Sequence, residues 1–198
     1  MHEDPEVGLE LRYWEAMRKG DKSSFGWIYD RYFKLLYNYG KKIGVERAAL
    51  EDAIHDLFVD LWRMRDNLSS TSSVRFYLYR SLRRRVLRND TAKNYFTESG
   101  LIIEGALAMV SPSLEQEIID EEGRNQRIHR LKKLLNDLAP RQYEALVLRF
   151  YDEFSFQEIA DILHVNEQSA RNLVQRGLVQ LRQYAKHVIT LACIMLLF

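Results

Sequence analysis

Residues Ser155–Gln183, SFQEIADILHVNEQSARNLVQRGLVQLRQ, restrict the fold more than any other stretch of the chain. Ser155 with Glu158 three residues on is a capping box, which satisfies two orphan backbone donors where a helix begins. Ile159, Ile162 and Leu163 then share one helical face. His164-Val165 supplies a turn, Asn166 a second cap, and Glu167 a carboxylate in a first turn, where the helix dipole favours it. The stretch therefore predicts two short helices joined tightly, a helix-turn-helix. In the second helix Ala170, Leu173, Val174, Leu178 and Leu181 keep a helical apolar spacing, while Gln168, Arg171, Asn172 and Gln175 fall at i, i+3, i+4 and i+7.

That polar face has a chemistry. Guanidinium and carboxamide groups pair bidentately with guanine and adenine edges in the major groove, and Arg and Gln also hold phosphates. A single amphipathic helix with such a face is more often simply a solvated helix. The complete two-helix pattern tilts the reading toward DNA without separating a repressor from any other DNA reader.

The rest of the chain predicts an all-α protein. Only 9 Gly and 3 Pro occur in 198 residues, long stretches have helical period, and no alternating apolar strands appear. With 46% hydrophobic and 29% charged residues the composition is that of a soluble globular protein. A formal charge of +1 does not advertise nucleic acid, but charge is segregated: residues 63–88 are basic and 98–122 mostly acidic. The lone Cys193 excludes an intramolecular disulfide and a cysteine-clustered zinc site, and no metal or cofactor is implied. The acidic start MHEDPEVG lacks the parts of a secretory signal, which predicts a cytoplasmic protein.

Along the chain, a first helix begins at Leu9–Arg18 and breaks at Gly20-Asp21. In Phe25–Ile43 the residues Phe25, Ile28, Tyr29, Tyr32, Phe33, Leu36 and Tyr39 trace a core-forming stripe, and Gly44 ends the helix. Glu51–Arg65 predicts a helix that buries Ile54, Leu57, Phe58 and Leu61. Its Asp52, Asp56 and Asp60 form an outward acidic row, either solvated or compensated by a basic partner surface. After the polar loop Ser69–Ser73, Val74–Arg88 packs through Val74, Leu78, Leu82 and Val86. Phe76, Tyr77 and Tyr79 gather at its front, with Arg80, Arg83, Arg84 and Arg88 behind. Aromatic faces beside guanidinium groups suit a single-stranded nucleic acid, although two of the three aromatics are equally read as core.

From Asn89 the helical pattern weakens, with LIIEGALAMV an apolar stretch inside it; helix resumes around Leu114 or Arg124 and buries Ile128, Leu131, Leu134 and Leu135. Pro140 opens a further helix with Tyr143, Leu146, Val147 and Phe150 inward. The organisation expected is a domain over 1–92, an acidic linker over 93–123, a helix-turn-helix domain over 124–184 and an apolar tail over 185–198. Val188–Phe198 is too short to span a bilayer; it docks on the protein's own apolar surface or serves as a contact for a partner or second copy.

FGWIYDRYFKLLYNYG, EDAIHDLFVDLW, FYLYRSLRR and the closing LAPRQYEALVLRFYDEFSFQEIADILHVNEQSARNLVQRGLVQLR, in that order, resemble bacterial RNA polymerase sigma factors. More narrowly they resemble the extracytoplasmic-function (ECF) subfamily, which keeps two helical domains, sigma-two and sigma-four. The resemblance covers about Leu9 to Tyr184, and helix-turn-helix repressors lack its first three segments.

The resemblance implies binding to core RNA polymerase and promoter selection. It implies contact of Asp52, His55, Asp56 and Trp62 with the clamp helices of the largest polymerase subunit. It puts Phe76, Tyr77, Tyr79, Arg80, Arg83 and Arg84 in the segment that engages the melted minus-ten element. Gln168, Ser169, Arg171, Asn172, Gln175 and Arg176 are then expected to read the minus-thirty-five element. An anti-sigma partner is implied in the same way, and neither a catalytic residue nor a small-molecule substrate is.

Four positions depart from the family pattern: Arg84 stands where Asn is frequent, Arg88 near a common acidic residue, His164 at the usual turn Gly, and Ala170 at a common Val. The competing reading is a DNA-binding regulator whose N-terminal domain senses a signal or dimerises. An enzyme is disfavoured, because His2, His55, His129, His164 and His187 are scattered and there is neither a Gly-rich phosphate loop nor a nucleophile with a local base.

Overall fold

The computed structural model describes the backbone of residues 5–88 and 138–195, and side chains over 8–88 and 138–182. The described residues are helical, without strands, and fall into two compact units. The linker expected over 93–123, the stretch LIIEGALAMV and the apolar positions Ile128 to Leu135 lie outside them.

The first unit contains α1 (Pro5–Arg18), α2 (Lys22–Lys42), α3 (Arg47–Arg63), a 3-10 turn (Arg65–Asn67) and α4 (Val74–Arg88). Local chemistry sets their ends. Gly20 at φ 92° and Gly44 at φ 86° take the left-handed conformation that closes α1 and α2. The Asp21 carboxylate accepts hydrogen bonds from the Ser24 hydroxyl, from Ser24 N at 3.0 Å and from Ser23 N at 3.3 Å, and so caps α2. These bonds, that of the Ser24 hydroxyl first, hold its pKa below the ordinary value. Glu46 caps α3 by accepting from Ala48 N and Ala49 N, both at 3.0 Å, and its pKa is lowered by those two backbone donors. Ser73 Oγ accepts from Phe76 N at 3.1 Å and opens α4.

Trp14, Met17, Ile28, Tyr32, Leu36, Tyr39, Leu50, Ile54, Phe58, Leu78 and Leu82 form the core of this unit. Burial of each such side chain contributes roughly 1.5–3 kcal/mol before entropy is counted. On α2 the buried row is Ile28, Tyr32, Leu36 and Tyr39. Phe25, Tyr29 and Phe33 are half-buried along its border, where Phe25 and Tyr29 meet Phe58 edge-on at 6.2 and 4.8 Å. The stripe on α3 is as the spacing predicts, with Leu50 and Ala53 added.

The second unit has α5 (Pro140–Leu146), a π turn (Val147–Tyr151), α6 (Phe156–Leu163) and α7 (Glu167–Met195). The π turn corrects one expectation. Its wider winding changes the direction in which its side chains point, so Leu148 is fully buried and Phe150, expected inward, is 59% exposed. The α7 interior row also differs: Ala170, Val174 and Gly177 face inward at i, i+4 and i+7, and Leu178 is exposed. Gly177 is there for close approach, since a Cβ added to it would stand 2.8 Å from Leu146 Cδ1. α7 runs unbroken to Met195, so the boundary expected at 184/185 falls within one helix. No helix among the described residues is long and apolar enough to cross a membrane.

Candidate nucleic-acid interfaces

In the first unit, α3 and α4 enclose a cleft of about 550 Å³. Leu57, Leu61, Met64 and Leu68 give it an apolar side; Tyr77, Ser81, Arg84, Arg85 and Arg88 line the other, with Asp60 facing them. Apolar and aromatic surface next to several guanidinium groups is a combination that accommodates a flat base and its phosphates. Tyr77 is held in place by Trp14, ring centroids 5.0 Å apart at 62°, while Trp14 Nε1 donates to the Ser69 carbonyl at 3.3 Å.

Two of the six residues assigned by sequence to this segment, Tyr77 and Arg84, line the cleft. Arg80 is exposed and Phe76 half-buried. Tyr79 and Arg83 are corrected: they are 0% and 3% exposed, so neither presents its side chain to a ligand in this fold. The helix packs through a wider face than a single row, and Tyr79 and Arg83, four apart, lie on that face beside Leu78 and Leu82. The Tyr79 ring packs against that of Tyr39, tilted by 38° with centroids 4.9 Å apart.

The acidic row on α3 has a compensating cation within the chain. Arg85 Nη2 donates to Asp60 Oδ2 at 2.5 Å, and its Nη1 is 3.9 Å from Asp56 Oδ2. Arg85 was missing from the sequence assignment, because a pair 25 residues apart in sequence leaves no periodic signal. Asp52, His55 and Asp56 are exposed on α3. Trp62 is half-buried, its ring 5.1 Å from that of Phe25 and 4.8 Å from the Arg65 guanidinium.

In the second unit the helix-turn-helix forms as its caps require. Ser155 Oγ accepts from Glu158 N at 3.3 Å, and Glu158 Oε2 accepts from Ser155 N at 2.8 Å. His164 takes the left-handed conformation at φ 53°, ψ 53°, a place that favours glycine. Asn166 Oδ1 accepts from Ser169 N at 2.7 Å and opens α7. Ile159, Ile162 and Leu163 from α6 and Ala170 and Val174 from α7 are buried together in this unit.

Gln168, Arg171, Gln175 and Arg176 are exposed on the opposite side of α7, and Ser169 and Asn172 are half-buried. The face is internally ordered. Gln168 Nε2 donates to Asn172 Oδ1 at 3.1 Å, and Arg171 pairs with Glu167. Missing from the sequence assignment is Phe156, whose ring carries the Arg171 guanidinium at 4.4 Å and that of Arg149 at 4.8 Å. Among the described residues no group of three His, Cys, Asp or Glu could hold a metal ion.

A helical unit with a basic aromatic cleft, followed by a helix-turn-helix, defines a two-part nucleic-acid-binding protein. Residues 28–92 match sigma-70 region 2 and residues 128–181 match sigma-70 region 4. With more than half of its residues in these two matches, the chain belongs to the sigma-70 family, whose members are non-catalytic transcription initiation factors. Among solved structures the chain is similar to CnrH in complex with the cytosolic domain of CnrY. Identity is 15% and the TM-score 0.61, with 90% of this chain and 97% of that chain covered. It is also similar to the sigma factor RpoE of Bartonella quintana in complex with the anti-sigma factor NepR. There identity is 17% and the TM-score 0.56, with 82% of this chain and 96% of that chain covered. At these identities the likeness concerns the fold. No curated protein matches the chain by sequence.

Proposed function

We propose that the chain is a cytoplasmic sigma factor of the ECF subfamily. It binds the clamp helices of the largest subunit of core RNA polymerase through the exposed acidic side of α3, holds the melted minus-ten strand at the α3–α4 cleft, and reads the minus-thirty-five duplex with α7. The observation that carries this reading is the cleft itself, with Tyr77, Arg84, Arg85 and Arg88 over an apolar side, in a chain that also bears a helix-turn-helix. A duplex reader needs only the second of these.

Stacking contributes roughly 1–3 kcal/mol per base, so two or three held bases offset much of the unpairing that opens a promoter. The chain needs no chemistry of its own, because the polymerase forms the RNA bonds. The complexes of CnrH with CnrY and of RpoE with NepR support an anti-sigma protein as a further partner here.

Run-off transcription with purified core polymerase tests the reading. The chain is expected to start synthesis at a promoter that core alone ignores, with thymines of the minus-ten element reactive to permanganate. Arg84→Ala, exposed and so of little consequence for folding, removes one strand contact. It lowers open-complex formation and reduces the salt dependence of single-strand binding by roughly 0.7 in log–log slope. A chain that shifts promoter DNA but never supports initiation by core polymerase is a regulator of the competing kind.

A further inference from the structure

Arg171 on α7 is gripped from two sides. Its guanidinium carbon sits 4.4 Å over the centroid of the Phe156 ring. Glu167 Oε1 accepts from its Nε at 3.1 Å and from its Nη2 at 2.5 Å. Phe156 is the first residue of α6, and the same ring lies 4.8 Å from the guanidinium of Arg149, whose Nη1 donates to the Phe154 carbonyl at 2.8 Å. One half-buried ring thus joins the π turn, the first helix of the motif and the exposed side of the second.

A guanidinium has five N–H donors. Glu167 takes that of Nε and one of Nη2, which leaves both on Nη1 and the second on Nη2. Nη1 and Nη2 together form the end-on fork that matches O6 and N7 of a guanine in the major groove. An arginine stacked on a ring and pinned by a carboxylate has lost most of its rotamer freedom before DNA arrives, so little more is lost on binding. Pairing with Glu167 also neutralises it, which removes most of its general attraction for phosphate.

We infer that Phe156 is a positioning residue for base selection: with Glu167 it holds Arg171 so that the outer fork reads one guanine of the promoter duplex. The inference rests on the reading of α7 as the duplex-binding helix. A ring that merely filled space would weaken binding to every sequence alike. A positioning ring acts on one base pair and leaves the remainder of the footprint unchanged.

The full-length chain is titrated with a selected high-affinity duplex and with variants carrying each other base at every position. Wild type is expected to prefer guanine at one position by about tenfold or more, the range of a good bidentate contact, and Arg171→Ala to abolish that preference alone. Phe156→Leu is expected to cut the same preference to about threefold or less while binding to random duplex stays within about twofold; Phe156→Tyr, which keeps the face, retains it. Glu167→Gln leaves the ring untouched, lowers the preference, and steepens the salt dependence by about one in log–log slope as Arg171 turns to phosphate.

Full guanine preference in both Phe156→Leu and Glu167→Gln overturns the inference and leaves the duplex-reading role of α7 standing. Equal weakening on every sequence with the preference intact does the same, and marks Phe156 as scaffold. A wild-type selectivity that Arg171→Ala does not alter overturns the inference at Arg171 itself, and a chain that binds every duplex alike overturns the reading of α7 as well.

Discussion

Gly40 lies in the last part of α2, where a Cβ would clash with Leu50 Cδ1 and stand 2.9 Å from Cδ2. Two effects compete on its replacement. Alanine favours a helix interior by about 0.8–1 kcal/mol over glycine. Against that, Leu50 is fully buried and has no room to swing, so the contact must be relieved by moving α3 or forcing a rotamer, at about 1–3 kcal/mol. The clash wins. Gly40→Ala is expected to lower stability by up to about 2 kcal/mol in urea denaturation, at unchanged m-value. A variant as stable as wild type would mean that Leu50 repacks without strain. His164 is the opposite case. Its left-handed conformation costs a residue with a Cβ roughly 1–2 kcal/mol, yet the turn forms, because capping and burial on both sides over-determine it.

The helix ends of the first unit carry a dependence on pH. Glu46 and Asp21 are both exposed, and their folded-state pKa values lie below the ordinary 4.5 and 3.8 because backbone and hydroxyl donors favour the ionised form. A depressed folded pKa means that the contribution to stability is complete above the ordinary value and fades as pH falls through the folded one. Glu46→Gln keeps an acceptor but loses the charge. The variant should melt below wild type at pH 7, and the gap should close as pH drops below about 4, as followed by circular dichroism. A gap that is constant from pH 7 to pH 3 would assign the effect to packing.

Elements defined by such local chemistry are the ones readable from sequence. Ser155 with Glu158, Asn166 and Gly44 each act within a few residues, and each forms as expected. What escaped has non-local causes. The π turn that brings Leu148 inward and Phe150 outward has no periodic signature. Tyr79 and Arg83 look like an exposed aromatic-basic pair until the width of the packed α4 face is known. The Arg85–Asp60 pair and the Phe156–Arg171 stack need two elements already brought together. The polar face of α7 was visible because helical spacing alone puts it opposite Ala170 and Val174, whereas the residues that order it were not.

For the chain as a whole, a net charge of +1 offers little long-range attraction to DNA or to a protein surface, so each proposed contact must be made by a local patch. On α3 the acidic row divides its work: Asp60 is committed to Arg85 and the cleft, with Asp56 at the edge of that pair, while Asp52 is exposed a further turn away. Core polymerase should therefore sense Asp52 more directly than Asp60. Asp52→Lys exchanges an exposed carboxylate for an ammonium and leaves the Arg85 pair in place. If a basic polymerase surface meets this side of α3, the change sets like charges against each other and lowers affinity for core about tenfold or more, most at low salt. Because α7 belongs to the other unit, sequence-selective duplex binding by the same variant should equal that of wild type. Fluorescence titration with core polymerase and with promoter duplex, on one preparation, separates the two readouts. Unchanged affinity for core would remove Asp52 from the polymerase contact, and a parallel loss of duplex binding would trace the effect to misfolding.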